Sequence, residues 1–204
     1  PTSLNAFRQL AQFWDGRAAT VEDQAIGPIL NPIEHGLKDA AEVVGILKKD
    51  PAVVASFKKA FPGEDEPVSL ANVGRAIGAF ERTLVTHSRF DDFIDGDSSK
   101  LTNPEKQGLY DFITVGCTTC HFTRMLGGQM YNKLGLIHPY ETKDLGRYEV
   151  TKNEAEKYFF KVPSLLNIAE TGPYFHDGSI ASLDESVRLM AWHQLGKKLE
   201  DAKV

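Results

Sequence analysis

Two cysteines stand three residues apart in Gly116-Cys117-Thr118-Thr119-Cys120-His121, and a histidine follows the second directly. Thiols at that spacing can add across the two vinyl groups of one haem, which holds the adjacent imidazole where it can ligate the iron. The same residues could form a thioredoxin-like redox pair or half of a zinc site. A redox pair is expected to open a helix after a strand, whereas this motif follows a helical pattern. A structural zinc site needs two more ligands at suitable spacing, and the chain has no further cysteine. Covalent attachment of a c-type haem through Cys117 and Cys120, with His121 as an axial ligand, is the expected chemistry.

The other axial ligand is a choice among several residues. A thioether favours reduced iron and raises the potential, so methionine suits an electron-transfer haem. Met125 and Met130 follow closely on His121 and would have difficulty reaching the opposite face of the ring. Met190 shares a helical face with Leu183, Val187 and Ala191, which is expected to point inward. A methionine on such a face serves equally well as core filler. His138, His176 and His193 are rivals.

The elements that must position these groups read as mainly helical, with long irregular connections. Residues 1–36 carry turn-forming sequences around a short polar stretch. Apolar residues at helical spacing mark a helix from Lys38 to Lys49, broken by Asp50-Pro51, and a second short helix to Phe61. Ser69 reads as the N-cap of a long helix striped by Leu70, Val73, Ile77, Phe80 and Leu84. Thr102-Asn103-Pro104-Glu105 has the form of a capping box and opens the helix that runs into Cys117. Residues 122–180 are rich in glycine, proline and aromatics with little periodicity, as expected of a segment wrapped around a cofactor. A last helix starts at the capping box Ser182-Leu183-Asp184-Glu185 and ends at Gly196.

The 204 residues carry 42% hydrophobic and 25% charged side chains, which suits a globular protein with a real core. A net charge of −5 argues against a nucleic-acid partner, and no run is long enough to span a membrane.

Further motifs run through the chain in a fixed order. Phe13-Trp14-Asp15-Gly16-Arg17-Ala18, Gln24, Gly27-Pro28 and Asn31-Pro32-Ile33-Glu34 precede the cysteine motif. Gly127-Gly128-Gln129, Lys161-Val162-Pro163-Ser164-Leu165, Pro173-Tyr174-Phe175-His176-Asp177-Gly178, and Met190 with Gln194-Leu195-Gly196 follow it. The ordered set resembles the bacterial di-haem cytochrome c peroxidases, a family related to MauG, from Trp14 to Gly196.

That resemblance implies a cytochrome c-like helical fold and a pair of haems. One, of low potential, reacts with hydrogen peroxide; the other, of high potential, accepts electrons from a cytochrome c or a cupredoxin. The motif here matches the second, with His121 and Met190 as its ligands. Residues 37–204 would form its domain, and residues 1–36 would belong to the region around the peroxidatic haem. Trp14 matches a tryptophan between the haems. Gln24 and Glu34 match a polar pair over the peroxidatic iron, where a carboxylate can move a proton between the peroxide oxygens. Thr171 and Pro173 match positions whose backbone carbonyls bind calcium. A homodimer and a periplasmic location are implied in the same way.

Two departures stand out. His35 follows Glu34 where the family usually has methionine, and it is expected to be a solvated loop residue with iron ligation a minor alternative. The chain also lacks a second Cys-x-x-Cys-His and a closing helix, so it is expected to be an incomplete view of a longer enzyme. The rival functions are a mono-haem electron-transfer cytochrome, which one His/Met haem would support by itself, and a MauG-like oxidase of a protein substrate. Met190 argues against the latter, because a tyrosine stands there in that branch.

Overall fold

The computed structural model describes residues 2–199. They form two compact units. One takes Ser3–Phe7 and Ala18–Leu84; the other takes Thr2, Arg8–Arg17 and residues 85–199. The packing does not divide at residue 36: α1, within the first 36 residues, belongs with the helices up to residue 84.

The first unit holds helices α1 (Val21–Leu30), α2 (Ala40–Leu47), α3 (Pro51–Ala60) and α4 (Leu70–Glu81). Helix α1 replaces the turn-rich stretch expected there. Thr20 caps it by accepting from the Asp23 amide at 3.1 Å, and Pro28 lies in its last turn, where only one backbone bond is lost. Glycine and proline signal a break in the sequence, but burial of Val21 and Ala25 outweighs it.

Helix α1 crosses α4 closely. A Cβ at Gly74 would stand 2.8 Å from the carbonyl oxygen of Glu22, so a side chain there would push the helices apart. Arg82, just beyond α4, pairs with the Glu22 carboxylate. Helix α4 starts at Ser69 as expected but ends at Glu81, leaving Leu84 beyond it. Phe80, expected in its apolar stripe, is largely exposed. Asn72 is fully buried and satisfied: its amide donates to Glu64 and Pro67 at 2.7 and 2.8 Å, and its oxygen accepts from Arg75.

The second unit contains α5 (Arg89–Ile94), α6 (Asn103–Val115), α7 (Tyr148–Thr151) and α8 (Leu183–Leu195). The Thr102–Glu105 capping box is reciprocal, with the Thr102 amide 2.7 Å from the Glu105 carboxylate. Arg89 also bonds that carboxylate at 2.7 Å and, with these contacts, brings its pKa down to about 2. Ser182 caps α8, and Gly196 ends it. The segment expected to be irregular contains a two-stranded antiparallel ribbon, β1 (Tyr131–Lys133) on β2 (Phe159–Lys161), with Tyr131 opposite Lys161. Three-residue strands are too short to show a period of two in the sequence.

Helix α6 buries none of its residues, although it carries Leu109, Phe112, Ile113 and Val115. Helix α8 fully buries only Ala191; Leu183 and Met190 are half-buried, and Val187 is exposed. The face expected to point inward is therefore only partly covered by protein atoms. That much apolar surface flanking the cysteine motif fits a flat, largely apolar macrocycle.

Candidate haem-attachment site

The end of α6 delivers the cysteines. Gly116 terminates the helix, and Cys117–Thr119 form one tight 3-10 turn. The Cys120 and His121 amides both donate to the Cys117 carbonyl, at 3.2 and 2.9 Å. Both thiols are half-buried and unpaired with each other. Burial pushes the Cys117 thiol up, against the pull of Lys197. An activated redox cysteine is pushed the other way. Asn132 donates to Cys120 Sγ at 3.1 Å. Among the described residues, no group of three or more His, Cys, Asp or Glu side chains could hold a metal ion.

His121 is oriented by the loop that follows it. Its Nδ1 lies 2.9 Å from the carbonyl oxygen of Leu126. With the proton on Nδ1, the Nε2 lone pair is the one left for iron. Burial lowers the His121 pKa, opposed by the carbonyls of Leu126 and Pro163, which favours the neutral, ligating form. The Phe112 ring stands 6.3 Å away, centroid to centroid. The Leu126 carbonyl is itself fixed by the Leu165 amide at 3.2 Å, and the Met125 carbonyl by Ser164 Oγ at 2.6 Å. Gly127 is required: its φ is +132°, and a Cβ would stand 2.0 Å from the Pro163 carbonyl oxygen. Buried Met125 is thus a fixture of the loop that holds His121. The Met130 carbonyl accepts from Val162 at 2.9 Å.

Met190 lies on α8 one turn before residues that anchor this helix. The contacts of the rival histidines do not separate them from Met190, since His193 is held through Nδ1, as His121 is, and His176 Nδ1 is buried without a hydrogen-bond partner. His193 Nδ1 bonds the His138 carbonyl at 2.8 Å, and the His138 ring stacks on Trp192 at 3.7 Å. His176 bonds Thr142 at 3.2 Å and stacks on Phe160 at 4.2 Å.

Trp14 sits half-buried in a clamped backbone segment. Its carbonyl accepts from the Lys161 amide at 2.7 Å, and Arg147 donates to the Asp15 carbonyl at 3.2 Å. Gly16 packs against the Tyr131 hydroxyl, and Arg17 covers the Phe13 ring at 3.5 Å. Lys161 is 3% exposed, and its ammonium donates to the Ala11 carbonyl at 2.7 Å. Burial pulls its pKa down to about 8, partly offset by Asp15. Sequence reading placed Lys161 in a motif but saw neither this burial nor the roles of Leu126 and Asn132, which act through a backbone oxygen and a side chain eleven residues past His121.

Gln24 lies half-buried on α1, whereas Glu34 is exposed on the turn after it, its amide bonded to the Asn31 carbonyl at 3.0 Å. The structure records no contact between the two side chains. His35 is exposed as expected, its Nδ1 3.3 Å from the Pro28 carbonyl. Thr171 donates through Oγ1 to the Asn167 carbonyl at 3.2 Å, and Pro173 follows a cis peptide bond.

The family model for di-haem cytochrome c peroxidase matches residues 1–99. The cytochrome c peroxidase Ccp of Escherichia coli is 42% identical over 210 residues, covering 100% of this chain and 44% of its own length. Cytochrome c551 peroxidase of Nitrosomonas europaea is 44% identical over 214 residues, covering 100% of this chain and 61% of its own. A MauG-like protein associated with microbial copper homeostasis shares the fold, with a TM-score of 0.74 and 30% identity over 88% of this chain and 58% of that one. The chain therefore spans about half the length of the relatives it matches. Across that span it is similar to the di-haem cytochrome c peroxidases, and its first 99 residues match that family's model.

Proposed function

We propose that this chain is the electron-accepting part of an enzyme that reduces hydrogen peroxide to two waters, using two electrons and two protons. The observation that carries the reading is the Cys117–His121 turn, with Nδ1 of His121 committed to Leu126 and Nε2 left as a metal donor. Cys117 and Cys120 would hold the haem by thioether bonds, and His121 and Met190 would ligate its iron. A haem so bound supplies one-electron transfer at a potential raised by the thioether.

In this reading Trp14, with its backbone clamped, lies on the electron path to a second haem carried by the rest of the polypeptide. Glu34 takes a proton from the near peroxide oxygen and returns it to the leaving oxygen, with Gln24 holding the substrate. Thr171 and Pro173 carbonyls bind calcium. The electrons come from a cytochrome c or a cupredoxin, the protein is a homodimer, and it works in the periplasm. Among the described residues no helix is long and apolar enough to cross a membrane.

The rival reading is a mono-haem electron-transfer cytochrome, which one haem with His121 and Met190 as ligands would support by itself. Haem content of the natural polypeptide by pyridine haemochrome, with peroxide-dependent oxidation of a reduced cytochrome c, separates the two. Two haems and turnover are expected. One haem without turnover would overturn the peroxidase reading.

A further inference from the structure

We propose that Gln194 is a positioning residue for Met190, fixing the last turn of α8 so that the thioether stays on the iron. This rests on the reading of Met190 as an axial ligand.

The side-chain amide of Gln194 is used at both ends. Its Oε1 accepts from the Gly135 and Leu136 amides, at 3.1 and 2.9 Å, and its Nε2 donates to the Lys133 carbonyl at 2.9 Å. The His193 carbonyl accepts from the Ile137 and His138 amides, at 2.9 and 3.2 Å. Trp192 stacks on the His138 ring. Three consecutive residues of α8 therefore grip the 133–138 loop. That loop is rooted in turn: Lys133 ends β1, and the Leu134 amide donates to the Tyr158 carbonyl at 2.9 Å, just before β2.

Met190 and Gln194 are four residues apart on one helix, hence on one face. A thioether is a weak ligand, and groups beyond the ligand itself decide whether it stays in place. The chemistry at position 194 is specific. Two N–H groups and one carbonyl need a group that both accepts and donates, which glutamine supplies. Glutamate could accept from the two amides but not donate to Lys133, and leucine could do neither.

A simple helix fastening would change stability and leave the ligand field alone, so the test reads the iron–sulfur bond. In the ferric holoprotein, the thioether-to-iron charge-transfer band and the affinity for added imidazole are compared among wild type, Gln194→Glu and Gln194→Leu. The wild type should show the band, and Gln194→Leu should lose at least half of it. Imidazole should displace the thioether roughly tenfold more readily in Gln194→Glu, the effect of losing one hydrogen bond. If Gln194→Leu does not fold, Gln194→Glu decides. An unchanged band and unchanged imidazole affinity in the folded variants would overturn the role of Gln194 and leave Met190 as ligand. No band in the wild type would overturn both.

Discussion

His121 Nδ1 and the Leu126 carbonyl oxygen lie 2.9 Å apart, a contact that with the proton on Nδ1 leaves the Nε2 lone pair for iron. The carbonyl is aimed by a loop with left-handed residues at Thr123, Leu126, Gly127 and Gly128. Conformations of this kind persist only where surrounding bonds over-determine them, as the Leu165 and Ser164 contacts do here.

Gly127→Ala should therefore act on the histidine through the loop. The added Cβ collides with the Pro163 carbonyl, and the backbone conformation is costly for alanine. A loss of about 1–3 kcal/mol in the urea unfolding of the holoprotein is expected, together with an altered axial-ligand spectrum. A variant with unchanged stability and spectrum would remove the loop from the account.

Lys161 gives a pH signature. Its pKa is about 8 in the folded chain against an ordinary 10.5, so between those values the unfolded chain binds more protons. The contribution of Lys161 to stability is thus greatest above pH 10.5, falls as pH drops from 10.5 to 8, and is constant below that. Wild type should gain on Lys161→Met as pH rises from 8 towards 10.5, measured by denaturant midpoints. A difference that does not vary with pH would show that the ammonium is not buried in solution.

Glu105 works in the acid range. Arg89 and Thr102 hold its pKa at about 2, so its stabilising effect is full above pH 4.5 and is lost as pH falls to about 2. The start of α6 should fray over that window, seen as faster amide exchange near Glu105. Glu105→Gln should already exchange fast at pH 6; slow exchange in that variant would contradict the capping role.

Glu34→Gln should lower peroxide turnover by roughly 10²–10⁴-fold, the usual worth of a positioned acid–base group. The absorption spectrum of the Cys117/Cys120 haem should stay the same. Normal turnover would remove Glu34 from the mechanism.

Some of this was legible in the sequence for clear reasons. Ser69, Thr102 and Ser182 announce helix starts because capping is a local bond between neighbouring residues. Helix α1 was hidden because its stability comes from α4, and Gly27-Pro28 reads locally as a break. The cysteine motif is legible because the chemistry proposed for it, two thioether bonds and one ligand, needs that spacing. The support from Leu126, Lys161 and Gln194 was not: Leu126 acts through its backbone oxygen, and Lys161 and Gln194 through side chains that bond backbone atoms, which leave no residue signature at the position they serve.

The central claim is that Cys117 and Cys120 carry a haem. Mass spectrometry of the proteolytic peptide spanning Cys117 to His121, taken from the protein isolated from its natural source, tests it most directly. The account predicts that this peptide carries one haem and that neither cysteine reacts with an alkylating reagent. A haem-free peptide with both thiols alkylated would contradict it.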